Sequence, residues 1–350
     1  MALARPRRRR TAPGTRRDRR RVGDMAAKTD VYGDLRAPRE MIGSTLVELI
    51  EAGEDVVVLD GDLGLSTRLG PVEDAHPDRL VQLGVAEQNA MGVATGLSYT
   101  GVRPVFVSMA MFALALPWTQ LRQAAYAGAP VVVIGTHPGV DMGPDGGTHQ
   151  CLEDLALARA IPELLVLTPA DSAQTANAIA WAVRQREHPV YIRVGRHPVA
   201  QLYDPDAEFA PGGHEVIADH GGRALIVTEG STASLGRDAA DALAGRGIGA
   251  RVVHLPSLKP LDADGIRAAA SGCELVVTVE NHSVIGGLGD AVCGVVGPQG
   301  AHVERIGTPD VFGMSATGDE MREAFGLTPD AVAARIAAWL STPPLGGTAR

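Results

Sequence analysis

Two histidines and an acid share one glycine-rich stretch of this chain, Thr136-His137-Pro138-Gly139 followed by Asp145-Gly146-Gly147-Thr148-His149-Gln150. Histidine changes charge near neutral pH, so such a loop can hydrogen-bond a polyhydroxylated molecule and move protons on it. The plain alternative is a surface loop with incidental histidines. Zinc is a poor fit, because the 12-residue gap between His137 and His149 matches no ligand spacing and no third ligand stands nearby. The expectation is no metal held by this chain. A second stretch, Gly84-Val85-Ala86-Glu87-Gln88-Asn89-Ala90-Met91-Gly92, opens a small-residue helix with an acid. Glu87 is either an ordinary helix N-terminal acid or a partly buried carboxyl that meets a ligand nitrogen. Two further loops add acid and cation: Asp60-Gly61-Asp62-Leu63-Gly64-Leu65-Ser66 and Arg193-Val194-Gly195-Arg196. Arg196 suits bidentate binding of a phosphate or an exposed salt bridge.

These stretches need a scaffold that brings them to one edge. Apolar runs at 55–60, 102–108, 130–136, 164–168 and 189–194 read as strands. Helical patterns at 39–52, 87–99, 111–127, 153–160 and 172–186 separate them. Nearly continuous aliphatic strands are buried on both faces and pair in parallel, and parallel sheets bind ligands at the carboxyl ends of their strands. All four chemical loops follow strands or open helices at that end. After a Pro- and Gly-rich linker the pattern restarts, with strands at 223–228, 250–254, 274–279 and 302–306 and helices at 232–245, 286–296, 319–325 and 329–340. The fold class expected is α/β: two consecutive three-layer α/β domains with mostly parallel sheets. The boundaries expected are 25–200 for the first domain, 201–215 for the linker and 216–341 for the second, with a disordered tail at 342–350.

Composition supports that scaffold and excludes other classes. Apolar residues make up 45% of the 350 but aromatics only 4%, so the cores rest on Val, Leu, Ile and Ala. Residues 1–21 hold ten arginines against one acid, Asp18, which leaves about −18 on the rest of a chain whose net charge is −9. So acidic a body is not built for nucleic acid. No apolar run reaches the ~20 residues of a membrane span, and Cys151, Cys273 and Cys293 form no framework, which fits a reducing, cytoplasmic setting. The arginine-rich segment, 1–24 in all, has three readings: a solvated disordered arm, a start codon placed too early with translation beginning at Met25, or a polyanion-binding arm.

The order of motifs resembles the second half of transketolases, over roughly residues 39–340. The stretches that carry the resemblance are LDGDLGLST (59–67), LGVAEQNAMGVATGLS (83–98), THPGVDMGPDGGTHQCLEDLALARAIP (136–162), LTPAD (167–171) and VGRHPV (194–199), with VTVENHSVIGGLG (277–289) in the second domain. The resemblance implies a pyrimidine-binding domain followed by a transketolase C-terminal domain. It implies thiamine diphosphate as cofactor, with Glu87 hydrogen-bonding N1′ of its aminopyrimidine and serving catalysis with His137 and His149.

Further residues carry over by position. Phe112 and Trp118 match ring-stacking positions, although Ala115 stands where an aromatic is common, and both have core packing as an alternative. Asp62 and Leu63 match neighbours of the thiazolium. Arg39, Ser66, His137, Asp145, His149 and Arg196 match contacts to a sugar phosphate. Gly147 and Cys151 stand where proline is common, which loosens the loop. The reaction implied is transfer of a two-carbon ketol unit from a ketose to an aldose. Only 38 residues precede Arg39, so the diphosphate and its Mg2+ or Ca2+ are expected on a separate N-terminal transketolase subunit, in an α2β2 assembly. Related activities that remain open are a deoxyxylulose-phosphate-synthase-like enzyme, the β subunit of a 2-oxoacid dehydrogenase, and a regulatory subunit without catalysis. Gly286-Gly287-Leu288-Gly289 lacks the third glycine of a dinucleotide fingerprint and reads as a close strand-to-helix turn.

Overall fold

A computed structural model of the protein describes residues 35–341. The expectations for 1–24 and 342–350 fall outside the described residues. The first half of the chain supplies β1 (Val56–Asp60), β2 (Leu80–Gln82), β3 (Arg103–Met109), β4 (Val132–Thr136), β5 (Leu165–Leu167) and β6 (Val190–Val194). The second half supplies β7 (Glu215–Asp219), β8 (Ala224–Glu229), β9 (Ala250–Leu255), β10 (Ser257–Lys259), β11 (Leu275–Ser283) and β12 (Val303–Thr308). They form a seven-stranded sheet ordered β10-β5-β6-β4-β3-β1-β2 and a five-stranded sheet ordered β12-β11-β8-β9-β7. Among the described residues every strand pairing is parallel except β10 on β5 and β7 on β9.

Side-chain alternation explains the layers. Val56, Val58, Val105, Val107, Val132, Ile134, Val190 and Ile192 join one buried cluster, while Leu59, Phe106, Val133 and Tyr191 join another. Both faces of the sheet are therefore apolar and both are covered by helices. On one side lie Met41–Glu51, which presents Ile42, Leu46 and Leu49 at helical spacing, and Ser172–Arg184. On the other lie Glu87–Ser98 and Trp118–Tyr126. The second of these clusters also takes in Leu225, Val253, Leu255 and Leu288, so the two sheets share an apolar layer.

From β1 the chain goes to β2 on one side, then returns to β3 on the other. That reversal opens a crevice at the carboxyl ends of β1 and β3, the usual ligand position in such sheets.

Several elements differ from expectation for local reasons. The pattern at 111–127 breaks into a wide π-type turn, Met111–Ala115, and the helix Trp118–Tyr126. Pro117 intervenes, with no N–H to give a continuing helix. The linker is tied down: Leu202 N and Tyr203 N donate to the Asp171 carboxylate at 2.6 and 2.9 Å, and Phe209 packs on Trp181. Among the described residues no helix is long and apolar enough to cross a membrane.

His254 on β9 is fully buried, and its neighbours fix its proton. Thr168 O accepts from Nε2 at 3.1 Å, so Nδ1 accepts from the Tyr203 hydroxyl at 2.8 Å. Burial pushes this imidazole down to about 3 from 6.5. The unfolded chain therefore binds the extra proton between those values, and stability present above pH 6.5 is lost as the pH falls. The loss of stability between pH 6.5 and 4.5, read from urea midpoints, is expected to be about 2 kcal/mol smaller in His254→Gln than in the wild type. Identical losses in the two proteins would remove His254 as a source of acid lability.

Candidate active site

Pro38 starts a short 3-10 turn, Pro38–Glu40, ahead of the first helix, and Arg39 N donates to Gly195 O at 3.1 Å. That bond brings Arg39 beside Arg196, 157 residues further along by number. Between them opens a cleft of about 240 Å³ lined by Arg39, Leu65, Ser66, Arg68, Met109, His137, Asp145 and Arg196. The last residue of β3 and the segments that follow β1, β4 and β6 all contribute to it. The structure thus gathers Arg39, Ser66, His137, Asp145 and Arg196, five of the residues singled out from sequence. It adds Arg68, which sequence reasoning passed over. Arg68 caps the four-residue helix Gly64–Thr67 in the left-handed region, at φ 65. A non-glycine residue there is uncommon, but nothing in the sequence announces it.

Hydrogen bonds set the cleft's polarity. Arg39 Nη1 donates to Ser66 O at 2.9 Å and lies 2.7 Å from His137 Nε2. A guanidinium only donates, so that Nε2 is an acceptor and the proton sits on Nδ1. His137 Nδ1–H then donates to Thr136 Oγ1 at 2.7 Å, and Thr136 donates to Ser108 O at 3.3 Å. Burial, followed by the charges of Arg39, Arg196 and Arg68, pushes the His137 imidazole down to about 3. It is a neutral acceptor at any working pH. Burial and the neighbouring charges of Arg196 and Arg68 also hold the Arg39 guanidinium below its ordinary value. Among the described residues buried Arg39 Nε has no hydrogen-bond acceptor, Glu40 standing 3.9 Å away. Asp145 lies 3.8 Å from Arg196, and Glu40 accepts from Arg68 Nε at 2.9 Å. Three guanidiniums beside two carboxylates leave the cleft with an excess of positive charge, which suits an anion.

Glu87 lies outside this lining. It begins the helix Glu87–Ser98, is 6% exposed, and its carboxylate has no hydrogen-bond partner among the described residues. Gly61 stands beside it, where an added Cβ would be 4.0 Å from Glu87 Cγ. Asp62 is exposed at φ 67, with its N–H on Gln82 Oε1 at 3.0 Å, and Leu63 is half-buried. Asp60, by contrast, is structural: its carboxylate accepts from Leu63 N, Gly64 N and Gln82 Nε2. Phe112 meets His149 edge-on, with ring centroids 5.4 Å apart. Trp118 is held by its own chain, its indole N–H donating to Leu157 O at 3.0 Å and its ring packing on the core.

Beneath the loops lies an ionic network that the sequence did not reveal. Arg193, on β6, donates through Nε and Nη2 to Asp154 at 2.8 and 3.2 Å, through Nη1 to Glu229 at 3.1 Å, and through Nη2 to Asn281 O at 2.7 Å. These groups come from both halves of the chain. The Gly286–Gly289 turn is filled by protein as well. Leu288 N and Gly289 N donate to Glu280 at 2.6 and 3.0 Å, and a Cβ on Gly287 would stand 2.1 Å from that carboxylate. Burial pushes Glu280 up to about 8. A phosphate has no place there, in keeping with the close-turn reading.

The sequence model for the transketolase pyrimidine binding domain matches residues 36–201, and that for the transketolase C-terminal domain matches residues 213–332. The chain belongs to the transketolase family. Over 309 residues it is 37% identical to a transketolase C-terminal section of Methanocaldococcus jannaschii, covering 87% of this chain and 96% of that one. A 6-deoxy-6-sulfo-D-fructose transketolase subunit, SqwH, of Clostridium sp. is 35% identical over 83% of this chain and 90% of its own length. Among solved structures, a split-gene transketolase described as an inactive β4 tetramer aligns with a TM-score of 0.79 at 40% identity, over 87% of this chain and 98% of that one. This chain matches these relatives over nearly their whole lengths and corresponds to the C-terminal section of a transketolase. Membership of the family implies dependence on thiamine diphosphate.

Proposed function

We propose that this chain, joined to a diphosphate-binding subunit in an α2β2 assembly, transfers a two-carbon ketol unit between phosphorylated sugars. The observation that carries the reading is the cleft itself: three guanidiniums around a neutral histidine acceptor, in the crevice of a pyrimidine-binding domain.

The residues fit the cofactor. Glu87 is 6% exposed as a residue and makes no side-chain hydrogen bond among the described residues, which leaves its carboxyl free to meet a ring nitrogen. When bound, thiamine diphosphate supplies the electron sink that carbon–carbon cleavage beside a carbonyl requires. Glu87 holds or gives a proton at N1′, and Phe112 offers an apolar face to the pyrimidine. Asp62 and Leu63 would be the neighbours of the cofactor's thiazolium ring. In the cleft, Asp145 and His149 contact sugar hydroxyls, and His137 Nε2 accepts another once the phosphate draws Arg39 Nη1 away from it. Arg39, Arg68, Arg196 and the Ser66 turn hold the phosphate, whose charge relieves the repulsion among the three guanidiniums. The metal belongs with the diphosphate on the partner subunit. Among the described residues of this chain, no group of three or more His, Cys, Asp or Glu side chains is placed to hold a metal ion. Leu65, in the short helix Gly64–Thr67, and Val85, in the loop before Glu87, are 87% and 79% exposed at the same sheet edge and offer that partner an apolar contact.

The relatives are transketolase subunits, which does not favour a deoxyxylulose-phosphate-synthase-like enzyme or a 2-oxoacid dehydrogenase β subunit. The test is to co-express the chain with a diphosphate-binding transketolase subunit and supply xylulose 5-phosphate and ribose 5-phosphate. Ketol transfer is expected from the mixed assembly and not from either chain alone. Transfer by this chain alone, or turnover of 2-oxoacids but not ketoses by the assembly, would overturn the proposal.

A further inference from the structure

The loop 137–150 carries His137, Asp145 and His149 but contains neither strand nor α-helix. Its one regular piece is the 3-10 turn Val140–Asp145, bent at Gly143 and flanked by Gly139 and Gly146, all three at positive φ. Such a segment has few hydrogen bonds of its own, so its placement comes from outside. Here it comes from the second half of the chain. Asn281 Oδ1, on β11, accepts from Val140 N at 2.9 Å, and Gln150 Nε2 donates to Met314 O at 3.1 Å.

The strongest tie is ionic. Asp141 is 4% exposed, and Arg322, from the helix Gly318–Ala324, donates to it through Nε and Nη2, each at 2.7 Å. A planar, two-bond fork fixes orientation as well as distance. Burial works against the Asp141 charge, yet Arg322 holds its carboxyl below the usual range. The next residue, Met142, accepts on its carbonyl from Arg196 Nη1. Asp145, which closes the same turn, is the carboxylate 3.8 Å from Arg196. An unbroken set of contacts therefore runs from Arg322 through Asp141 and the Met142 carbonyl to Arg196 in the cleft wall.

We infer that Arg322 is a positioning residue for the substrate cleft: by forking onto Asp141 it sets where the loop holds Arg196 and Asp145. The inference rests on the transketolase reading of that cleft, and it gives the C-terminal domain a part in substrate binding although that domain lines none of the cleft. Arg322→Met in the two-chain assembly is expected to raise KM for a phosphorylated ketose about 10-fold or more, since small misplacements of binding groups are costly. The dissociation constant for thiamine diphosphate should stay within about 2-fold, because Glu87 is outside this set of contacts. Arg322→Lys, which keeps the charge but not the fork, should fall between.

Arg322→Met leaves Asp141 buried and unpaired, so the deciding protein is the double variant Asp141→Asn with Arg322→Met. It removes the stranded charge and should regain thermal stability while KM stays high. A double variant with wild-type KM would make the pair merely structural and overturn the inference. Calorimetry with inorganic phosphate on the chain reads the cleft without catalysis. Weaker phosphate binding in the double variant supports the positioning role even if the wild-type assembly transfers no ketol, a result that would defeat only the transketolase reading. Unchanged phosphate affinity counts against the positioning role.

Discussion

Replacing Glu87 by glutamine is expected to lower the ketol-transfer rate of the two-chain assembly by about 10²–10⁴-fold, the range of a positioned proton donor. Glutamine keeps the size and the acceptor oxygen but cannot hold or give the acid proton. The change should leave folding intact, because the carboxylate has no hydrogen-bond partner to lose among the described residues and only 6% of the residue is exposed. The thermal midpoint should therefore stay close to that of the wild type. The comparison requires both a turnover assay and a titration with thiamine diphosphate, so that lost chemistry is separated from lost binding. A Glu87→Gln assembly turning over near the wild-type rate would remove Glu87 from the mechanism.

The largest effect on stability is expected at Arg193. Its guanidinium is 2% exposed, and the Asp154 and Glu229 side chains it binds are fully buried. Burial disfavours the Arg193 charge, but the two carboxylates more than offset this and raise its pKa. Burial also raises Glu229 from its ordinary value, in spite of Arg193. Arg193→Met strands two carboxylates in the interior and should cost about 3–5 kcal/mol, on the order of 10 °C in Tm. The pairing of Arg193→Met with Glu229→Gln should recover part of that loss, since one stranded charge is then removed. Denaturant unfolding of the three proteins decides it. A single variant as stable as the wild type would mean that the network contributes nothing net.

How much could be read from the chain alone depended on how local each signal was. The runs that became β1, β3, β4 and β6 are aliphatic on both faces and stood out by composition. Strands β2 and β10 have three residues each, too short to show a period, and β7 carries Glu215 and Asp219 on an exposed edge, ahead of the first strand expected in the second domain at 223–228. The helix Ala263–Ala270 is built largely of alanines and was passed over, although Asp262 caps it by accepting from Gly265 N. The loop residues His137, Asp145 and Arg196 were visible because their stretches are unusual in themselves. Arg68, Arg193 and Arg322 were not, because each matters only through partners that folding brings near. Asp141 and Arg322 are 181 residues apart, and no local pattern joins them.

The short strand β10 makes the halves of this chain hard to separate. Although it follows β9 of the second sheet, it lies on the outer edge of the first, with Ser257 opposite Leu167 and Lys259 opposite Val166. Severing the backbone between the domains, or grafting on a foreign C-terminal domain, would strip β5 of that neighbour. The amides and carbonyls of Leu165–Leu167 would then be open to pairing with other chains. Any chimaera must therefore bring its own edge strand.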